Sequence, residues 1–472
     1  MSKKTKNIIL FVVAVQFILI ISLLALEPIV QAIPGRYRVA LQERIPFAST
    51  ILEGVIDQVA PVADALPVAA ANASAEEVDI GALITQPTKE PTAIPEPTLE
   101  PTQETAVSEE PATDEETEAP TPEPTNTPEP TATPFPTAVP LPAAHSLDGM
   151  GVIKQSFNNC GPANLTQVLN WYGNDITQEE IAAYLKPNSE DRNVSPWQIA
   201  DYVNEQTYGE FKATAHSGGT QELLKELIAA GYPVVIEKGY ELPSSGWWGH
   251  YLTVYAYDDE AEEFMTQDSY LGPFDGSGKP ASYEEVEKYW PHFNNTFYVV
   301  FRPEQEAEVM EIIGPELADT ISMWQLVAQG AQEIVQENPD DAFSWFNLGT
   351  ALTRLGENVT EGNAEYYQAA AQAYDKARDI GLPPRMLWYQ HRPYIAYDKV
   401  GRYQDVLDLA NATLETQGGR NVEETYWYKG NTLAALGDLY GAQEAYLSAL
   451  AINENFYPAQ ISLDWINTVI NG

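Results

Sequence analysis

The spacing of apolar positions changes character along the chain, and each change predicts a different kind of element. From Ile8 to Leu26 apolar residues run on without a charge, close to the roughly 20 residues that span a bilayer as a helix. Lys3, Lys4 and Lys6 precede the run, which holds that end in the cytoplasm and sends the rest outward. The run exceeds the core of about 7–15 residues usual for a cleaved signal peptide. Residues 1–27 therefore read as an uncleaved signal anchor, with Val30-Gln31-Ala32 as the competing cleavage site. Both readings export the chain beyond about residue 30. Helical periods return at Ala163–Trp171, with Leu165, Val168 and Leu169 on one face, then at Gln178–Leu185, Pro196–Gln206 and Thr220–Ala230. Strand signals come next at Pro233–Glu237, Tyr251–Tyr257, Glu262–Gln267 and Thr296–Phe301, with Gly231 stopping the helix before them. This mixture predicts an α+β domain over residues 145–303. From 304 to 472 the pattern is helical throughout, predicting an all-α region.

The stretches between these blocks differ in composition. Residues 28–84 are a juxtamembrane segment, amphipathic from Tyr37 to Val62 and then Ala-rich, and suggest no role. Residues 85–144 repeat Glu-Pro-Thr and Thr-Pro-Glu, with twelve acidic residues and one Lys. Such a stretch lacks the apolar surface to offset chain entropy and is expected to be disordered. Proline stiffens it, giving a reach on the order of 150 Å, so it reads as a linker or stalk.

Charge removes one class of function. The chain carries 25 basic and 68 acidic residues, a net charge of −43, whereas nucleic-acid binding needs a basic face. The 472 residues suggest several domains. Five scattered histidines offer no zinc site, so no metal or cofactor is expected.

Cys160 is the only cysteine and cannot form an internal disulfide. It is either an inert buried residue or a reactive one. It lies in Asn158-Asn159-Cys160-Gly161-Pro162-Ala163, just before a predicted helix, and Pro162 suits a first turn. A helix N-terminus stabilises a thiolate. Such a nucleophile needs a base, a group to orient it and donors for an oxyanion. His250 opens the strand Tyr251–Tyr257, and Asp268 ends the next one. A hairpin with a three-residue turn at Asp258–Glu260 would set His250 opposite Asp268, placing a carboxylate beside the imidazole. Gln155 would supply an oxyanion donor together with the Cys160 N–H. Asn164-Leu165-Thr166 matches a glycosylation acceptor. A glycan there would obstruct the site, so the enzyme reading expects a cell without that modification, as in a bacterium.

Residues 145–303 resemble the papain-like cysteine peptidases related to bacteriocin-exporter processing domains. The likeness rests on Gln155, Asn159-Cys160-Gly161-Pro162-Ala163, Leu223–Ile236, Gly249-His250-Tyr251 and Gln267-Asp268-Ser269-Tyr270. It implies Cys160 as nucleophile, His250 as base, Asp268 as its orienter and Gln155 as oxyanion donor. No transporter part or Walker-type loop accompanies them, so a free-standing surface peptidase fits better than leader processing during export. The all-α region has Trp345-x-x-Leu348-Gly349 with Ala370-x-x-x-Tyr374-x-x-Ala377, then Tyr397-x-x-x-Gly401-x-Tyr403, then Gly430-x-x-Leu433 with Ala442-x-x-x-Tyr446-x-x-Ala449. These spacings resemble tetratricopeptide repeats, with extra residues around Gly356–Ala364 in the first. The resemblances imply a membrane-anchored extracellular peptidase whose partners are a peptide or protein substrate, a protein held by the repeats, and the membrane. An inactive peptidase-fold surface binding protein is the alternative, and acyl transfer to an amine a third.

Overall fold

A computed structural model of the protein describes residues 65–69, 78–84, 140–242, 246–416 and 418–472. The apolar run Ile8–Leu26, the stretch Tyr37–Val62 and the Pro/Thr-rich residues 85–139 lie outside the described residues. Among the described residues no helix is long and apolar enough to cross a membrane.

The elements in chain order are α1 (Ile80–Ile84), β1 (Ala144–Ser146), α2 (Cys160–Trp171), α3 (Gln178–Leu185), α4 (Pro196–Gln206), β2 (Lys212–His216), α5 (Gln221–Ala229), β3 (Val234–Leu242) and β4 (Gly246–Asp258). Next come β5 (Glu263–Gln267), β6 (Lys279–Ser282), α6 (Tyr283–Tyr289) and β7 (Phe297–Phe301). The helical region comprises α7 (Glu306–Ile313), α8 (Pro315–Ala318), α9 (Thr320–Glu337), α10 (Ala342–Asn358), α11 (Asn363–Ile380), α12 (Arg392–Lys399), α13 (Tyr403–Glu415), α14 (Glu423–Ala435), α15 (Leu439–Ile452) and α16 (Tyr457–Asn471).

The first part is α+β, as its periodicities require. Its antiparallel sheet runs β2-β7-β3-β4-β5-β6, with β1 added to β4. Alternation sends neighbouring side chains to opposite faces. Val235, Tyr298 and Val300 join Leu165, Val168, Ile199 and Val203 of α2 and α4. Val234, Ile236, Phe297 and Val299 join Leu224, Leu227 and Ile228 of α5. Both faces are covered, which is why β7 and the start of β3, Val234–Ile236, read as unbroken apolar runs. Helix starts follow local chemistry: Thr177 with Glu180, and Ser195 with Gln198, form capping boxes at α3 and α4.

The second core cluster continues without a break into the helical region, taking in Trp324, Phe346, Trp388 and Tyr389. The two parts therefore share one packed interior. Within the helical region the small-and-aromatic spacing has a direct physical expression. A Cβ on Gly349 would lie 2.7 Å from Tyr374 Cε1, and one on Gly430 would lie 2.5 Å from Tyr446 Cε1. Each glycine lets a tyrosine of the following helix lie against its backbone. Gly349→Ala is expected to destabilise the protein by about 1–3 kcal/mol through overpacking, read as a lower urea midpoint at unchanged m-value.

Candidate functional site

Cys160 is the first residue of α2, so the helix begins three residues earlier than its apolar period predicts. The preceding Asn159 makes no side-chain cap, which leaves the N-terminal N–H groups to stabilise negative charge. The thiol is buried, with Cys160 9% exposed. Burial pushes the thiol up, but a hydrogen bond and the charge of His250, joined by the charge of Lys186, more than offset it. The group is left below the ordinary cysteine value.

His250 meets Asp268, with Nε2 3.0 Å from Oδ1. The carboxylate is fixed by the N–H groups of Tyr270 and Leu271, which donate to Oδ1 at 2.8 and 2.9 Å. Burial pulls His250 down, while Asp268 and then Cys160 raise it to about 9. Burial raises Asp268, and the charge and hydrogen bond of His250 bring it down to about 2. The hairpin that carries this pair differs in register from the one expected. Thr253 pairs with Gln267 and Asp258 with Glu263, with an irregularity between Val254 and Ala256. The turn is thus Asp259–Glu262 instead of Asp258–Glu260, and Glu262 adopts φ +53°. The predicted contact occurs nonetheless, because Asp268 lies just beyond β5 and reaches His250 from outside the ladder.

Gln155 is held beside the same segment. Its N–H donates to Ser269 O at 2.9 Å, and its Oε1 accepts from Ser269 Oγ at 2.9 Å. Occupying Oε1 in this way leaves Nε2 as the donor end. Periodicity did not single out Asn164 or Ser269. Asn164 is fully buried, and its Nδ2 donates to Cys160 O at 2.9 Å, Tyr251 O at 3.1 Å and Ser269 Oγ at 3.3 Å. One amide therefore joins α2, β4 and the Asp268 segment. The glycosylation acceptor pattern sits on a side chain with no access to solvent in the folded protein.

The surroundings hold groups with no sequence signal. Lys186 is 2% exposed, and its Nζ donates to Asn158 O at 3.0 Å and Asp191 O at 2.8 Å. Glu237, also buried, hydrogen-bonds the Tyr251 hydroxyl; burial and then the Cys160 charge push its carboxyl well above the ordinary range. Tyr389 comes from the helical region. Its hydroxyl accepts from the Gly249 N–H and lies within range of the Cys160 charge. A Cβ on Gly249 would stand 2.7 Å from Phe293 Cζ and 3.0 Å from Tyr389 Cδ1, so this approach requires glycine. A cavity of about 840 Å³ adjoins the site at the junction of the two parts, bordered by Glu237, Tyr389, Trp324, Arg354, Arg392 and Tyr428. His292 accepts from Trp247 Nε1 at 3.0 Å and stacks on Phe343, and His216 bonds Leu317 O, so both join the two parts. Among the described residues no group of His, Cys, Asp and Glu is arranged to hold a metal ion.

Residues 145–298 match the Peptidase_C39 like family. Among solved structures, a double glycine motif protease from an AMS/PCAT transporter, in complex with the leader peptide, is similar at 13% identity. It covers 33% of this chain and 92% of its own, with a TM-score of 0.24. No curated protein matches the chain. The chain thus contains a C39-like cysteine-peptidase-fold domain, followed by an all-α region.

Proposed function

We propose that this chain is a peptidase-fold protein that binds peptide at the junction of its two parts. The cavity carries this reading. Its volume of about 840 Å³ lies in the range of roughly 300–1,000 Å³ typical of ligand sites. Indole, phenol and guanidinium groups border it, suited to apolar side chains and to peptide carbonyls. Cys160 and His250 are 9% and 8% exposed, beside Tyr389 of the helical region, so access for a scissile carbonyl requires an opening. A peptidase fold on its own supports recognition and does not imply turnover. On this reading the helical region is tetratricopeptide-like and contributes half of the binding surface. The chain would be displayed at the cell surface by residues 1–27.

A specific observation favours a second reading, hydrolysis. His250 contacts Asp268, and its influence lowers the Cys160 thiol, which supports this reading. In that reaction the Cys160 thiolate attacks the carbonyl carbon while Gln155 Nε2 and the Cys160 N–H stabilise the oxyanion. His250, oriented by Asp268, gives its proton to the departing amine. It then takes a proton from the water that cleaves the thioester, releasing the acid and restoring the Cys160 thiolate and protonated His250.

The deciding experiment incubates the full-length protein and its Cys160→Ala variant with a synthetic decapeptide library, reading retained and cleaved peptides by mass spectrometry. Binding predicts the same peptides retained by both proteins, uncut. Fragments produced by the unsubstituted protein and absent with Cys160→Ala would establish hydrolysis instead. Retention by neither would remove the binding reading.

A further inference from the structure

The described residues ahead of the peptidase-fold domain are seated in the helical region. Leu66 and Leu83 are each 4% exposed and Ile84 is 7% exposed, in the same core cluster as Phe346 and Leu352. The polar contacts are directed at main chain. Leu66 N–H donates to Leu382 O at 3.1 Å, and Tyr366 Oη donates to Leu83 O at 3.3 Å. Val78 N–H donates to Gln372 Oε1 at 3.2 Å. Arg378 takes two successive carbonyls, Nε to Pro67 O at 2.7 Å and Nη2 to Val68 O at 3.1 Å, while its Nη1 is held by Asp405 at 2.8 Å. Arg378 is only 3% exposed. A guanidinium so buried needs its donors filled, and here the N-terminal segment fills two of its three nitrogens.

Apolar anchors combined with capture of main-chain groups are how grooves hold peptides. The peptide here is the chain's own. Its last described residue, Ile84, and Pro142, whose carbonyl accepts from the Tyr257 hydroxyl at 2.8 Å just after the Pro/Thr-rich stretch, both belong to one folded body. We propose that residues 65–69 and 78–84 are a built-in ligand of the helical region and attach the N-terminal part of the chain non-covalently. Cutting the chain between residues 85 and 139 would then leave the peptidase-fold body attached to that N-terminal part. While the chain is intact, the covalent connection keeps the effective concentration of the segment high and the groove occupied. This face is therefore taken by the chain itself and is not open to an outside partner. The proposal depends on neither peptide binding at the junction nor hydrolysis.

The test uses the full-length chain in detergent, with an N-terminal affinity tag and a specific protease site inserted between Glu110 and Pro111. After complete cleavage on the resin, the fragment beginning at Pro111 is expected to stay bound. The triple variant Leu66→Asp/Leu83→Asp/Ile84→Asp changes only the docked segment. It is expected to release that fragment, with retention lower by at least about tenfold, as a loss of about 1.4 kcal/mol already gives. An unchanged circular dichroism spectrum of the released fragment shows that the body remains folded. Release from the unsubstituted chain overturns the proposal, and so does equal retention by the triple variant.

Discussion

Alkylation of Cys160 by iodoacetamide is expected to move to higher pH in His250→Ala, and to slow by at least about tenfold near neutrality. Each unit of thiol pKa changes the thiolate fraction by about tenfold below the midpoint. The direction follows from two opposed effects. Burial pushes the thiol up, and the hydrogen bond and charge of His250 push it down. Removing the imidazole leaves burial opposed chiefly by Lys186 and the helix terminus. A rate–pH profile from about pH 4 to 10 reads the midpoint; identical profiles for the two proteins would show that no thiolate–imidazolium pair exists. The same pair sets a pH dependence of stability. His250 is raised to about 9, so its contribution is full below an unfolded value of about 6.5 and is lost as pH rises through about 9. Asp268 is lowered to about 2, so its contribution is present above about 4 and is lost as pH falls through about 2. Across the same alkaline window the lowered Cys160 thiol gains stability as pH rises and offsets what His250 loses, so urea midpoints should hold level above about pH 4 and the decline toward 9 should emerge in Cys160→Ala. That decline should be absent in the double variant Cys160→Ala/His250→Ala.

Asp405→Ala is expected to cost about 3–5 kcal/mol, the range for removing one partner of a buried ion pair. Asp405 accepts from Arg378 Nη1 at 2.8 Å and from Arg402 Nε at 2.9 Å. The Arg378 and Asp405 side chains are 2% and 4% exposed, so solvent does little to screen the loss. Arg402 retains Asp375, whose Oδ2 lies 2.6 Å from its Nη1. The penalty therefore falls mainly on Arg378. The surface pair Lys212–Glu306, with side chains 42% and 49% exposed, provides the contrast, since exposed pairs contribute about 0–1 kcal/mol. Urea denaturation of Asp405→Ala and Lys212→Ala should differ by several-fold in lost stability. Equal effects would mean that the Arg378 guanidinium finds solvent or another acceptor once Asp405 is gone.

The amino-acid sequence by itself determined the elements and their class. Period 3.6 marked α2–α5, and period 2 with apolar runs marked β3, β4, β5 and β7, because local backbone preference and one-sided burial leave their mark within a few residues. Cys160 at a helix start, and His250 with Asp268 across a hairpin, were legible for the same reason: both are short-range relations. Even so, the register came out differently, because the irregularity near Tyr255 and the turn Asp259–Glu262 leave no mark on the alternation of side chains. Only the tertiary structure decided what surrounds the thiol. Lys186 and Glu237 read as ordinary polar positions, Asn164 as a glycosylation acceptor, and Ser269 as part of a motif without a role of its own. Their burial is set by chain segments as distant as Tyr251 from Asn164. Tyr389 beside Gly249, and Arg378 holding Pro67 and Val68, join parts of the chain separated by more than a hundred residues. Such contacts follow from how packed layers meet, a long-range property that local periodicity does not encode.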